Sequence, residues 1–468
     1  MRMPDTERLS TLTNGKVPWK TPAEEAAAHQ DAVAAQLGVW RQHLPKLLQR
    51  FAKIPDPRHP SKVLHKATVL LFYALVCFLF QYRSRREANR EATGPTLAAT
   101  FRQVFPEIDS IPHFDTVERF LETIPEATWD SILHERIQHL LAQPKVRQFL
   151  VEQAWVVAVD GSQKFARHQP WDPKALRQKF SESDTRYRVY ILEAVLVSPN
   201  GLTLPLISEF CENAEDDSEN TKQDSELKAF RRLAKRLKEW FPRRRLLIVL
   251  DGLYPSGPVF QLCRAYHWDY MIILPEECLK TVWEDAEGLH QLDTDGQYQL
   301  AHRWGDHDQQ FWWANEIEYD FRQDGQQRQI HVHVVVCDET WTDGKGTVKH
   351  GRWAWISAQP ITPPNVLARC NRAGRHRWDI ESNLLVEKRW GYHYEHAYAY
   401  DWTAMKGWHY CMKLAHLLNV LTLWTKVGDQ LRHWRGNQGT IRFLRETWTG
   451  RWLDTAFFQA FQAENASP

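Results

Sequence analysis

Hydrophobic and polar positions change their rhythm at about residue 150. Before it, apolar residues recur at helical spacing. The stretch TPAEEAAAHQDAVAAQLGVWRQHLPKLLQRFAKI, from Thr21, holds helix formers throughout and stops at the breaker PDPRHP. TVLLFYALVCFLF (68–80) is a continuous apolar run, too short to cross a bilayer, and predicts a buried helix. HFDTVERFLETI (113–124) and TWDSILHERIQHLLAQ (128–143) repeat their apolar positions about every 3.6 residues. Residues 1–150 are therefore expected to be helical, with basic edges such as RSRREANR (83–90).

From residue 154 the period shortens. AWVVAVDG reads as a buried strand ending at Asp160, followed by a polar loop from Ser162 to about Thr185. RVYILEAVLVSPNGLTLPLISEF (188–210) predicts two strands around a tight turn at Asn200–Gly201. SELKAFRRLAKRLKEW (225–240) is an amphipathic helix capped by Asp224 or Ser225. RRRLLIVLDG (243–252) is a second buried strand ending in an acid, Asp251, and GPVFQLCRAY (helix) and YMIILP (strand) follow. Strand, strand, strand, helix, strand, helix, strand is the ribonuclease-H-like order. In it the first strand lies centrally and the fourth beside it in parallel, so Asp160 and Asp251 would meet. From about 279 to 365 the helical signal disappears into β-rich segments (QYQLAHRW, QFWWANEIEYDF, RQIHVHVVVCDE, GRWAWISA) with turns at 324–325 and 342–346. Helix returns in NRAGRHRWDIESNLLVEKRW, and residues 401–468 read as helical. There GWHYCMKLAHLLNVLTLW is apolar enough for a dimer contact or for one wall of the core. The expected fold is α/β: a ribonuclease-H-like domain over 151–400 with a mostly β insertion at about 279–365, between helical regions 1–150 and 401–468.

Composition adds bounds. With 468 residues, 43% hydrophobic and 12% aromatic, the chain can bury a sizeable core, which excludes a disordered protein. Its seven cysteines form no CxxC, which argues against a zinc ribbon and a disulfide framework and fits a reducing compartment. MRMPDTERLSTLTNGK carries no apolar signal core, so a cytoplasmic location and no membrane partner are expected. The net charge of +1 conceals segregation: RRLAKRLKEWFPRRR (231–245) is densely cationic, whereas EFCENAEDDSE (209–219) has six acids and no base. A protein that handles nucleic acid needs basic surface for phosphates and a separate acidic site for metal.

Two carboxylates meeting at strand ends repel unless a cation lies between them or one is protonated. Oxygen-rich sites of this kind suit Mg²⁺, and a pair of such ions can activate a water and stabilise the leaving oxygen of a phosphodiester. A third carboxylate usually completes the set. On a helix spanning 375–390, Arg377 lies about 40° and Lys388 about 20° from Glu381, while Asp379 and Glu387 point elsewhere. Glu381 is thus the acid with a cation one turn before it and another two turns after.

These residues carry a resemblance. The chain resembles the DDE transposases of bacterial insertion sequences, in the group with a Tyr-x2-Arg-x3-Glu-x6-Lys signature and a β-rich insertion before it. Arg377, Glu381 and Lys388 match at the correct intervals, Asp160 in VVAVDGS matches the first acid and Asp251 in LIVLDGL the second. The signature tyrosine is absent: position 374 is glycine, and Arg375 or His376 would have to supply its phosphate contact. The resemblance covers roughly 150–400. It implies that Asp160, Asp251 and Glu381 are the catalytic residues and bind two Mg²⁺ ions, with Mn²⁺ as a substitute. It implies that Arg377, Lys388 and Arg375 bind DNA. It further implies double-stranded DNA partners (element ends and target), a homodimer on DNA, a nucleoid-associated location, and strand cleavage followed by strand transfer without a covalent protein–DNA intermediate. Relatives stack a tryptophan of the insertion on a flipped base; Trp304, Trp312, Trp313, Trp341, Trp353 and Trp355 are candidates. A metal-dependent nuclease without strand transfer and a non-catalytic DNA-binding descendant are the alternatives. His331, His333, His393 and His396 are expected to be structural, Ser162 has no partnered histidine motif, and Asp216 and Asp217 belong to a solvated acidic loop.

Overall fold

A computed structural model describes residues 16–181, 184–213 and 224–464. The N-terminal helices are α1 (Pro22–Ala52), α2 (Ala67–Leu79), α3 (Arg85–Glu91), α4 (Pro95–Val104), α5 (Phe114–Leu121) and α6 (Glu126–Leu141). The mixed region holds β1 (Trp155–Arg167), β2 (Leu176–Lys179), β3 (Thr185–Val197), β4 (Thr203–Cys211), α7 (Glu226–Trp240), β5 (Leu246–Leu250), α8 (Gly257–Ala265) and β6 (Asp269–Ile273). Then come α9 (Lys280–Leu292), β7 (Gln299–Trp304), β8 (His307–Gln323), β9 (Gln326–Thr342), β10 (Val348–Ser357), α10 (Val366–Asn371) and α11 (Trp378–Arg389). The chain closes with α12 (Trp402–Leu423), α13 (Lys426–Thr449) and α14 (Thr455–Glu464). The fold is mixed α/β, with one large mixed sheet and flanking helices.

Ten strands form that sheet in the order β2-β3-β1-β5-β6-β10-β9-β8-β7, with β4 on the edge of β3. β1 pairs in parallel with β5 and antiparallel with β3. Trp155–Val159 and Leu246–Leu250 are buried, the continuous apolar run expected of strands covered on both faces. The β-rich insertion does not form a sheet of its own. β10 pairs with β6, Trp355 opposite Ile273, and so extends the same sheet.

Three expectations need correction. β1 does not end at Asp160. It continues to Arg167, because Tyr187–Leu192 of β3 supply ladder partners beyond the end of β5. The supposed polar loop also holds β2. The helical signal does not vanish at 279 either: α9 buries Val282, Trp283 and Ala286, a stripe too thin to stand out from its polar neighbours.

The helical regions share one core. Every residue of α2 is buried, and α2 packs on α12, which is itself buried on nearly every side and also meets α5, α6 and β4. α12 therefore forms a wall against the sheet. Among the described residues no helix is long and apolar enough to cross a membrane.

Candidate functional site

Asp160 and Asp251 are positioned by adjacent parallel strands. The last rung between β1 and β5 joins Ala158 to Val249. Just past it, β1 presents Asp160 and β5 runs out into Asp251. Asp251 Oδ1 accepts the Leu253 amide at 2.9 Å and Asp160 Oδ1 accepts the Gly161 amide at 2.8 Å, which fixes both carboxylates locally. α11 packs across β1 and β3 and brings Glu381 to the same acidic cluster, where Arg377 contacts both it and Asp160.

Arg377 lies in the short 3₁₀ turn Gly374–Arg377 that leads into α11, rather than on one continuous helix. Its Nη1 is 3.6 Å from Asp160 Oδ2, and its Nη2 is paired with Glu381 Oε1. The guanidinium is almost wholly buried, at 3% exposure, whereas Glu381 is 43% exposed. Burial pushes the Asp160 carboxyl up from 3.8 to about 6; repulsion from Asp251 and Glu381 adds to this, and Arg377 and the Gly161 amide oppose it. The structure therefore brings three carboxylates and one arginine within electrostatic reach of each other. Three hard oxygen donors suit a divalent cation by chemistry. As they are placed, however, no group of three or more His, Cys, Asp or Glu among the described residues is arranged to hold a metal ion, and the cation in contact with Asp160 and Glu381 is Arg377.

A fourth acid adjoins the pocket, and the sequence reading did not find it. Glu226, at the first position of α7, accepts the Tyr190 hydroxyl on Oε2 and the Tyr254 hydroxyl on Oε1, each at 2.7 Å. A Cβ at position 161 would run into the Tyr190 hydroxyl and come within 2.6 Å of Glu226 Oε2, so the residue after Asp160 must be glycine. Burial raises both tyrosines, with Glu226 and Asp160 adding to it. The only local signal was Ser225, whose side chain caps α7 by accepting the Lys228 amide.

Other expected site residues lie apart. Arg375 is turned toward the β insertion: its guanidinium bonds Glu339 at 2.6 Å and lies between Trp304 and Trp353, 5.0 and 4.9 Å from their ring centres. Lys388 stays on α11, partly exposed, 3.7 Å from Glu395. Gly374 has a packing reason, since a Cβ there would sit 2.9 Å from Trp355 Nε1. The indole of Trp355 fills the space a tyrosine would need. Trp312, Trp313 and Trp355 are core residues, whereas Trp378, beside Arg377, is 43% exposed. His331 faces solvent beside Glu318, and the buried His333 accepts the Glu316 amide. Asp216 and Asp217 lie outside the described residues.

Residues 48–135, from the end of α1 through most of α6, match a family model described as DDE_Tnp_1-associated. The match links the chain to DDE-type transposases through its helical N-terminal region and includes none of Asp160, Asp251 and Glu381. No curated protein matches the chain.

Proposed function

We propose that the chain is a DNA transposase of the DDE type, which binds the ends of its own element, cleaves a strand at each and transfers the freed 3′-hydroxyl to target DNA. The observation that carries the reading is the proximity of Asp160, just past the last rung between β1 and β5, Asp251, at the end of β5, and Glu381, on the helix packed across them. The transposase-associated match upstream supports it from an independent part of the chain. The order β3-β1-β5-β6, with β1 and β5 parallel, supports a ribonuclease-H-like core.

On this reading Asp160, Asp251 and Glu381 would hold two Mg²⁺ ions, or Mn²⁺ in their place. Divalent ions bound there supply an activated oxygen nucleophile and charge compensation at the leaving oxygen. The protein's own share is positional. β1 and β5 set two donors side by side, and α11 brings the third without a flexible linker. Arg377, in the turn before α11, offers a planar donor fork to a phosphate oxygen, and Lys388, on α11 about two turns beyond Glu381, a point charge. The two ends must be held together, which calls for two copies of the chain on double-stranded DNA.

The test offers the full chain a plasmid carrying the DNA that flanks its reading frame. Expected are Mg²⁺-dependent nicks that leave 3′-hydroxyls, and joining of a pre-cut end to a second plasmid. Asp160→Asn and Glu381→Gln should each lower cleavage roughly a thousandfold, as removal of several kcal/mol of transition-state stabilisation requires. Cleavage unaffected by Asp160→Asn would end the proposal. Cleavage without joining would leave a nuclease.

A further inference from the structure

Arg377 occupies an unusual position for a phosphate-binding side chain. It is buried, and it spends its charge inside the acidic pocket on Asp160 and Glu381. Its Nε and Nη1 nevertheless lack hydrogen-bond partners, with the Nη1 separation of 3.6 Å being an ion pair without a hydrogen bond. A well-satisfied structural arginine looks different. Arg369 directs its buried guanidinium at Asp269, Glu152 and the Ser357 hydroxyl and has no unpartnered donor. Arg377 is thus held by charge, with its directional bonding left incomplete.

We propose that Arg377 is an internal counter-ion that closes the acidic pocket and must withdraw before a divalent cation can enter, so that metal loading and exposure of its guanidinium are one event. The inference rests on the transposase reading for the identity of the cation's ligands. The physical basis is direct. A guanidinium and a dication cannot share the space between Asp160 and Glu381, because like charges at contact distance in a partly buried site repel strongly. Each neutralises the same carboxylates, so each competes with the other. Once displaced, Arg377 would have free donors, and its guanidinium already lies 4.2 Å from the ring centre of the exposed Trp378. A phosphate oxygen entering there would satisfy them. Metal and nucleic acid would then load cooperatively: the first to arrive pays for the displacement of Arg377.

The prediction has an unexpected sign. Removing a residue of the active pocket should strengthen metal binding. Mn²⁺ affinity, read by electron paramagnetic resonance of the free ion, should be about tenfold or more tighter in Arg377→Gln than in the wild type, while Arg377→Lys stays near the wild-type value. Glu381→Gln should weaken binding in both backgrounds. A second measurement needs no variant: modification of Arg377 by phenylglyoxal, located by peptide mass spectrometry, should accelerate several-fold when Mn²⁺ is added. Equal or weaker Mn²⁺ binding by R377Q, or a modification rate indifferent to Mn²⁺, overturns the counter-ion role. If the wild type cleaves DNA at the same time, the transposase reading survives that result; loss of both cleavage and Mn²⁺ binding removes the two together.

Discussion

Two of the three carboxylates on α11, Glu381 and Glu387, lie less than two turns apart in opposite electrostatic surroundings. Glu381 reaches a pocket where three acids face one arginine. Glu387 is fully buried, yet each of its oxygens is matched: Lys413 donates to Oε2 and the His416 ring N–H to Oε1, both at 2.7 Å. β1 and β3 repeat the division. Asp160 pairs across the ladder with Glu193. Asp160 belongs to the pocket, whereas Glu193 belongs to the dry cluster, where Lys413 lies 3.0 Å away and the Ser208 hydroxyl donates at 2.7 Å. Burial alone would raise Glu387, but Lys413 and His416 overcome it and hold the carboxyl below its usual range. Burial wins at Glu193, which rises within the dry cluster, as it does at Asp160 in the pocket. A charged cluster built for architecture is compensated within the chain. One left with surplus charge of a single sign is not, and it is the count of opposing charges, three acids to one arginine, rather than burial or the shift of any single carboxyl, that separates the candidate site from its neighbour.

Breaking the dry cluster should give the largest effect on stability. Lys413→Met leaves Glu387 and Glu193 facing each other without their shared cation, and removing one partner of a buried pair costs about 3–5 kcal/mol. The midpoint in urea, with the slope unchanged, measures it. A loss below about 1 kcal/mol would mean that water reaches the cluster, and the comparison would fail.

How much of this was legible beforehand follows the same divide. A β-branched run ending in Asp-Gly is a local pattern, so Asp160 and Asp251 could be picked out, and the order of elements indicated that their strands adjoin. The Arg377–Glu381 pair could be read from its spacing. The angular reading also turned Glu387 away from the Glu381 face, but not toward any particular surroundings. Ile380 and Leu384, four residues apart, mark the dry face of α11, and Glu387 lies three residues further along it; what the helix could not show is that a carboxylate is tolerated there, because the cations that make its burial possible come from α12. Glu226 was equally hidden, because its tyrosine partners stand on β3 and in the loop after β5. Lys164 gave the wrong impression for a related reason. A lysine after Ser162 looks like loop, yet it is buried in β1 with its ammonium donating to the Tyr394 carbonyl at 2.9 Å. Partners distant in the chain, rather than weak local signals, account for the misses at the site.

The surplus charge of the pocket should show in the pH dependence of folding. Asp160 has a higher proton affinity folded than unfolded, so its protonated form favours the native state. That contribution is complete below about pH 4 and is lost as pH rises through about 6. At roughly 1.4 kcal/mol for each tenfold in proton affinity, the loss is about 3 kcal/mol. Wild-type stability minus that of Asp160→Asn should therefore fall by about 2 kcal/mol between pH 4 and 6.5. A flat difference would show that the pocket's charges are as well compensated as those around Glu387.

The smallest effect tests the acid between these extremes. Glu226 lies beside the pocket but is satisfied by two neutral hydroxyls, which solvate a carboxylate without cancelling its charge. Hydrogen bonds to a charged group contribute about 1.5–3 kcal/mol when buried and less where water can substitute. Tyr254 is wholly buried, whereas Tyr190 is partly open. Tyr254→Phe should thus cost about 2 kcal/mol in urea unfolding, and Tyr190→Phe about 1. Glu226→Gln would ease repulsion near Asp160 at the expense of one hydroxyl bond, two changes of opposite sign, so stability should move little and Mg²⁺-dependent cleavage should persist. If Glu226→Gln instead abolished cleavage in a folded protein, Glu226 would belong with the uncompensated acids, as a fourth beside Asp160, Asp251 and Glu381.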